Sequence, residues 1–172
     1  MNRYMTNNSV RPAQALRAAL KAAGFNARRV SVREDHSTLR VTIRDASASL
    51  SKVADIAEPF EKVHRCEASG EILCGGNVYV QVAYAKEVVE PVRAAILAVL
   101  EPAPLGEWVA VLGRFRALRA SHNGAAVYNE EVRLDGAGFE IRNSIAFGLS
   151  WAALRLAIAY LDASAHGEGS AA

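Results

Sequence analysis

Cys66 and His64 stand two positions apart, the only thiol and imidazole close together in this 172-residue chain. On a strand that spacing puts both on one side, as a nucleophile and its base require. No neighbouring residue marks the thiolate as activated, so a structural thiol is the simpler reading, and an enzyme built on this pair ranks last of the readings below. The four histidines, His36, His64, His122 and His166, fall in no Cys/His or HExxH spacing. With only Asp35 and Glu67 as further donors, neither a metal nor a cofactor is expected. Glu67 with Glu71, and Glu130 with Glu131, are carboxylate pairs of a kind common on surfaces. Gly75-Gly76-Asn77 lacks the Gly-Lys-Ser/Thr end of a phosphate loop and leads into a strand, so it reads as a tight turn.

One constellation carries a direct physical argument. Val30 and Val32, then Leu39, Val41 and Ile43, alternate with arginines in a pattern of period two. A hairpin built on them buries the aliphatic side chains and turns Arg29, Arg33, Arg40 and Arg44 outward. Neighbours on one strand face are about 6.6 Å apart, close to the phosphate spacing of a nucleic-acid strand. Tyr79 and Gln81, alternating with Val78, Val80 and Val82, are expected on the same open face. Arginine pairs with carboxylates as readily as with phosphates. The face therefore suits an acidic protein groove, or a nucleic-acid strand with Tyr79 stacked on a base. An ordinary solvated sheet face fits the same pattern. These six residues are the candidate binding set, and no catalytic residue is assigned.

The elements that carry them follow from periodicity and punctuation. A helix is predicted over residues 12–23, with Leu16, Ala19, Leu20 and Ala23 inward and Gly24 at its end. Arg11, Arg17 and Lys21 fall on its other faces. Strands are predicted over 27–33 and 39–44, joined by the polar residues 34–37. A second helix spans 48–60, capped by Asp45 or Ser47 and ended by Pro59. Short strands follow at 63–68 and 78–84. A third helix runs from about 90 to 100, with Pro91 at its first position and 86–89 as connection. The resulting order, α-β-β-α-β-β-α, describes an α+β domain over residues 10–100: an antiparallel sheet with helices on one face. Residues 101–106, rich in proline, mark a boundary. The appended region, 105–163, holds an apolar stretch at 108–112, a turn at 121–125, and strands at 127–134 and 139–141 around an Asp135-Gly136 turn. It closes with a long apolar helix over 144–162, suited to a core or to a homodimer interface. Residues 164–172 read as a disordered tail.

The composition sets outer limits. Half the chain is hydrophobic (51%), enough for a substantial core. The net charge of +2 excludes a strongly basic nucleic-acid binder as a whole. Residues 1–65 nevertheless carry 12 Lys/Arg against 6 Asp/Glu, while the remainder carries 8 against 12. Two cysteines, Cys66 and Cys74, make no disulfide framework, and the polar start MNRYMTNNSV has no apolar leader core. A cytoplasmic protein with reduced thiols is expected, with no membrane partner.

The helix ending in Gly24-Phe25, the strands Val30-Ser31-Val32-Arg33 and Leu39-Arg40-Val41-Thr42-Ile43, and the Gly-Gly-Asn turn before an aromatic-bearing strand carry a family likeness. Over about residues 10–85 the chain resembles the large polyvalent protein-associated domain family, number twenty-nine. That resemblance implies no enzyme chemistry and carries over no catalytic residue. Members occur in proteins of phages and conjugative elements, some of which are held to shield incoming DNA from host defence. It thus implies a non-enzymatic accessory protein of a mobile element, acting by binding, as an inhibitor of a host defence complex of the anti-CRISPR or anti-restriction type. A nucleic-acid-binding module using the same arginine face is the alternative. The half from Leu105 onward departs from the likeness.

Overall fold

The computed structural model describes residues 11–73, 75–113, 115–121, 130–135, 143–144 and 148–167. They form a mixed α+β protein with four α-helices and two small sheets. The chain divides into two compact units. The described residues through Ile43, with Leu50–Ala83, make the first; Arg44–Ser49 and the chain from Tyr84 onward make the second.

The first unit opens with α1, Pro12–Ala22. Alanine and leucine favour the helix, and Pro12 sits in the first turn, where its missing N–H costs nothing. Ala13, Leu16 and Leu20 recur on one buried stripe. The helix stops in a Schellman motif. Gly24 takes φ +88°, the Phe25 N–H donates to the Leu20 carbonyl at 2.9 Å, and the Gly24 N–H donates to the Lys21 carbonyl at 3.1 Å. Asn26 then turns the chain. Its carboxamide oxygen accepts the N–H groups of Arg28 and Arg29, and its carbonyl accepts that of Val30.

Strands β1, Val30–Asp35, and β2, Thr38–Ile43, pair antiparallel, with Val32 opposite Val41 and Arg33 opposite Arg40. Only His36 and Ser37 lie between them, and His36 takes φ +51° in that turn. Val30, Val32, Leu39, Val41 and Ile43 are buried. Helix α1 packs on β1 and on α2, Leu50–Ala57. Each large aliphatic side chain so buried contributes about 1.5–3 kcal/mol. A 3₁₀ turn, Glu58–Phe60, ends α2 at Pro59. Helix α2 starts later than expected, after a turn in which Asp45 folds back on Ser47. The Asp45 carboxylate accepts both the N–H and the hydroxyl of Ser47, at 2.9 and 2.8 Å.

The third strand, β3, Tyr79–Tyr84, lies beside β2. Its Tyr79 N–H donates to the Ser37 carbonyl at 2.7 Å, immediately before β2 begins. An antiparallel strand anchored there would run off the start of β2, so β3 runs parallel to it, with Tyr79 beside Thr38 and Gln81 beside Arg40. This corrects the expected all-antiparallel sheet. It also removes the expected strand at 63–68. The described residues among 61–78 make only isolated bridges, Lys62 with Val78 and Arg65 with Ile72. The reason is compositional: Val63 is the one aliphatic side chain beyond Cβ between Lys62 and Glu71, so no apolar face exists to bury.

In the second unit, α3 spans Lys86–Leu100 and packs on α4, Gly148–Ala165. Pro91 lies inside α3 rather than at its first position. The Val88 and Val89 N–H groups both reach the Ala85 carbonyl, so the helix is already under way. The lost hydrogen bond costs about 3 kcal/mol, offset by the burial of Val89, Ile96 and Leu100. On α4, Ala152, Ala153, Leu156, Ala157 and Leu161 are buried, and the alanines permit close helix approach. Arg93 joins the two helices, chelating the Glu90 carboxylate at 2.8 and 2.9 Å and donating to the Ser150 carbonyl at 3.2 Å. Helix α4 begins after the expected start and continues past Asp162, so residues 164–165 are helical rather than tail.

Four antiparallel strands complete the unit in the order β4-β5-β6-β7: Trp108–Leu112, Phe115–Ser121, Glu130–Asp135 and Asn143–Ser144. Strand β6 pairs with β5 and with β7. Residues 136–142, including the expected strand 139–141, lie outside the described residues, as do 122–125 of the expected turn. No helix among the described residues is long and apolar enough to cross a membrane.

Candidate functional site

The open face of the first sheet is set by strand alternation. Beside the buried aliphatic rows, β1 presents Ser31, Arg33 and Asp35, β2 presents Thr38, Arg40 and Thr42, and β3 presents Tyr79, Gln81 and Ala83. Arg33 and Arg40 are direct cross-strand partners, and Gln81 continues the row. Two like charges held opposite each other are destabilising. Asp35 relieves this in part, with its carboxylate 3.2 Å from Nη2 of Arg40 in an exposed pair. Tyr79 is half-buried, and its hydroxyl accepts a weak hydrogen bond from Asn77 Nδ2 at 3.4 Å. Asn77 also ties down the preceding loop: its carboxamide oxygen accepts the His64 N–H, and its Nδ2 donates to the Leu73 carbonyl, both at 2.8 Å.

The structure does not keep all six expected residues in one row. Arg29 precedes β1, in the turn after Asn26, with its guanidinium 5.8 Å from the centre of the Phe25 ring. Arg44 follows β2, is exposed, and belongs to the Arg44–Ser49 segment of the second unit. Arg33, Arg40, Tyr79 and Gln81 stay together.

Two further arginines join them from α1. Arg11 and Arg17, with Ala13, Gln14, Arg33 and Glu34, line an open cavity of about 620 Å³. Arg17 donates from Nε and Nη2 to the Val32 carbonyl at 3.2 and 2.7 Å, closing part of the exposed edge of β1. The cationic surface thus wraps from the open face around that edge, with Glu34 the one carboxylate lining the cavity. A signal for this was present: Gln14, Arg17 and Lys21 recur at i, i+3 and i+7, which is a single helix face.

Neither candidate for covalent chemistry assembles. The Cys66 thiol is held below the ordinary thiol range by the Ser69 hydroxyl, then by the Ser69 and Ala68 amides. His64 is not among its partners; the imidazole lies against Gly76. Cys74 lies outside the described residues. A second group escaped the sequence reading because its members are far apart in the chain. The Ser49 hydroxyl is 2.7 Å from Asp162 Oδ1 and 3.3 Å from His166 Nε2, and His166 Nδ1 is 2.8 Å from the Asp162 carbonyl. These are the residue types of a serine hydrolase, but not its arrangement. The shortest bond from Ser49 goes to the carboxylate, not to a base. Ser49 is also only 2% exposed. The cluster is a clamp that pins the end of α4 to the Arg44–Ser49 segment, where the buried Tyr84 hydroxyl adds a bond to the Ala48 carbonyl at 3.1 Å.

Comparison with protein families, with curated proteins and with solved structures returns no match to this chain.

Proposed function

We propose that this protein is a non-enzymatic binding protein that engages an anionic partner through Arg33, Arg40, Arg11 and Arg17, with Tyr79 and Gln81 beside them. The observation that carries the reading is the register that sets Arg33 opposite Arg40 on an exposed sheet face. Such a pair opposes stability, and the negative charge of a partner would complete it. The partner is proposed to be a protein complex of a bacterial host's defence, met in the cytoplasm. The expected likeness of residues 10–85 to a mobile-element family motivates this choice. So does the mixed chemistry of the face, where threonines, Gln81 and Asp35 lie among the arginines, as protein interfaces require.

A second reading has its own observation. The cavity between Arg11, Arg17 and Arg33 has the volume and charge to take a phosphate, which favours a nucleic-acid strand along the same margin.

Expression in bacteria carrying active immunity tests the first reading. Phage or plasmid survival is expected to rise with the wild-type chain and not with Arg33→Glu/Arg40→Glu. No rescue across several defence systems would count against it. The second reading expects DNA or RNA to be retarded at low salt and released steeply as salt rises. Absence of any retardation at low salt removes it.

A further inference from the structure

A groove on the α1 side of β1 remains unused by this reading. It measures about 420 Å³ and lies between α1 and the edge of the sheet. Its apolar lining is built in: the Schellman turn brings Phe25 next to Leu20, and Ala27, Val30 and Val32 complete the wall. The charged residues that line it are Arg17 and Lys21, both cations. The edge of β1 supplies backbone groups. A two-residue hairpin loop makes Asp35–Thr38, Arg33–Arg40 and Ser31–Thr42 the hydrogen-bonded pairs. The N–H and carbonyl groups of Val30 and Val32 therefore point away from β2. Asn26 occupies the Val30 N–H and Arg17 the Val32 carbonyl. The Val30 carbonyl and the Val32 N–H face the edge.

We propose that this groove takes an extended peptide of alternating apolar and acidic residues, which adds as a fourth strand to β1. Its apolar side chains enter between α1 and the sheet, against Phe25 and Leu20. The intervening carboxylates lie over Ser31, and the cationic rim of Arg17 and Lys21 favours the acidic peptide over a neutral or basic one. The backbone supplies affinity and the groove supplies selectivity, the division of labour seen wherever peptides extend a sheet.

The test is an NMR titration of the full ¹⁵N-labelled chain with three synthetic peptides of about six residues, the usual strand length. One alternates valine and glutamate, one groups the same residues in two blocks, and one alternates valine and lysine. The alternating acidic peptide is expected to shift the amides of Phe25, Ala27 and residues 30–32, with the Val32 N–H moving downfield as it gains an acceptor. Lys21→Glu and Ala27→Glu, both at exposed positions, are expected to weaken binding about ten-fold. Arg40→Glu, which disables the open face, is expected to leave this binding unchanged, so the two proposals fail separately. Equal binding of the lysine or block peptide, shifts confined to β3, pairing of two copies through β1 without peptide, or no shift at all would each overturn it.

Discussion

Cys66 shows how far local hydrogen bonding can go without making a catalyst. The Ser69 hydroxyl and two backbone amides favour the thiolate, so its reaction with iodoacetamide is expected to rise with pH through a midpoint below the ordinary thiol value. Ser69→Ala is expected to move that midpoint upward; a profile matching free cysteine would show that these bonds do not form. His64→Ala is expected to leave it in place, since the imidazole is not among the causes. The Ser49 clamp makes the opposite case, catalytic residue types in a structural role. Ser49→Ala removes a hydrogen bond to a carboxylate and is expected to lower stability by about 1.5–3 kcal/mol in chemical denaturation. A fluorophosphonate that modifies activated serines is expected to leave Ser49 unlabelled; labelling would identify a nucleophile. No reading of the sequence alone would have grouped Ser49 with Asp162 and His166. Loop closure across more than a hundred residues brings them together, and no local spacing records it.

Among the elements, those with a strong period and a clear stop were legible. Leu16 and Leu20 on a stripe, Pro12 before them and Gly24 after them define α1 almost to the residue. The hairpin followed from alternation alone. Legibility failed where packing overrode local preference. Pro91 marks a helix start by propensity, yet α3 runs through it because its apolar stripe lies against α4. The strand expected at 63–68 was to pair with that at 78–84, and β2 is the partner instead. At the other end of α3, Arg119 reaches from β5 to accept a structural role that its sequence neighbours did not suggest. Its Nη1 donates to the carbonyls of Glu101 at 2.9 Å, and of Leu100 and Ala103 at 3.3 Å. The Leu100 and Glu101 carbonyls end the helix and carry its negative pole. Arg119→Ala is expected to cost about 1–3 kcal/mol, measured by urea denaturation. Arg119→Lys is expected to recover only part of this, because the shorter lysine stem does not bring its ammonium to the Nη1 position. Full recovery would reduce the contact to charge alone.

For the molecule as a whole, charge is sorted along the chain more sharply than the net value of +2 suggests. That asymmetry was visible in the sequence, and so were Arg33, Arg40, Tyr79 and Gln81. The contribution of α1 was visible only as a polar helix face bearing Gln14, Arg17 and Lys21, because helix and strand meet only when the sheet is packed. Arg29 and Arg44 left the row for a matching reason: the strands end between them and the arginines that stay. The central claim is that the Arg33–Arg40 face holds an anionic partner. Both side chains are exposed, so reversing them leaves the buried rows intact, and circular dichroism is expected to be unchanged. The most direct measurement is retention of bacterial host components on the immobilised chain at about 0.1 M salt, where charges a few ångströms apart still interact strongly. Acidic protein or nucleic acid is expected to be retained by the wild type and lost at least about ten-fold from Arg33→Glu/Arg40→Glu. Equal retention by a folded double variant would contradict the claim.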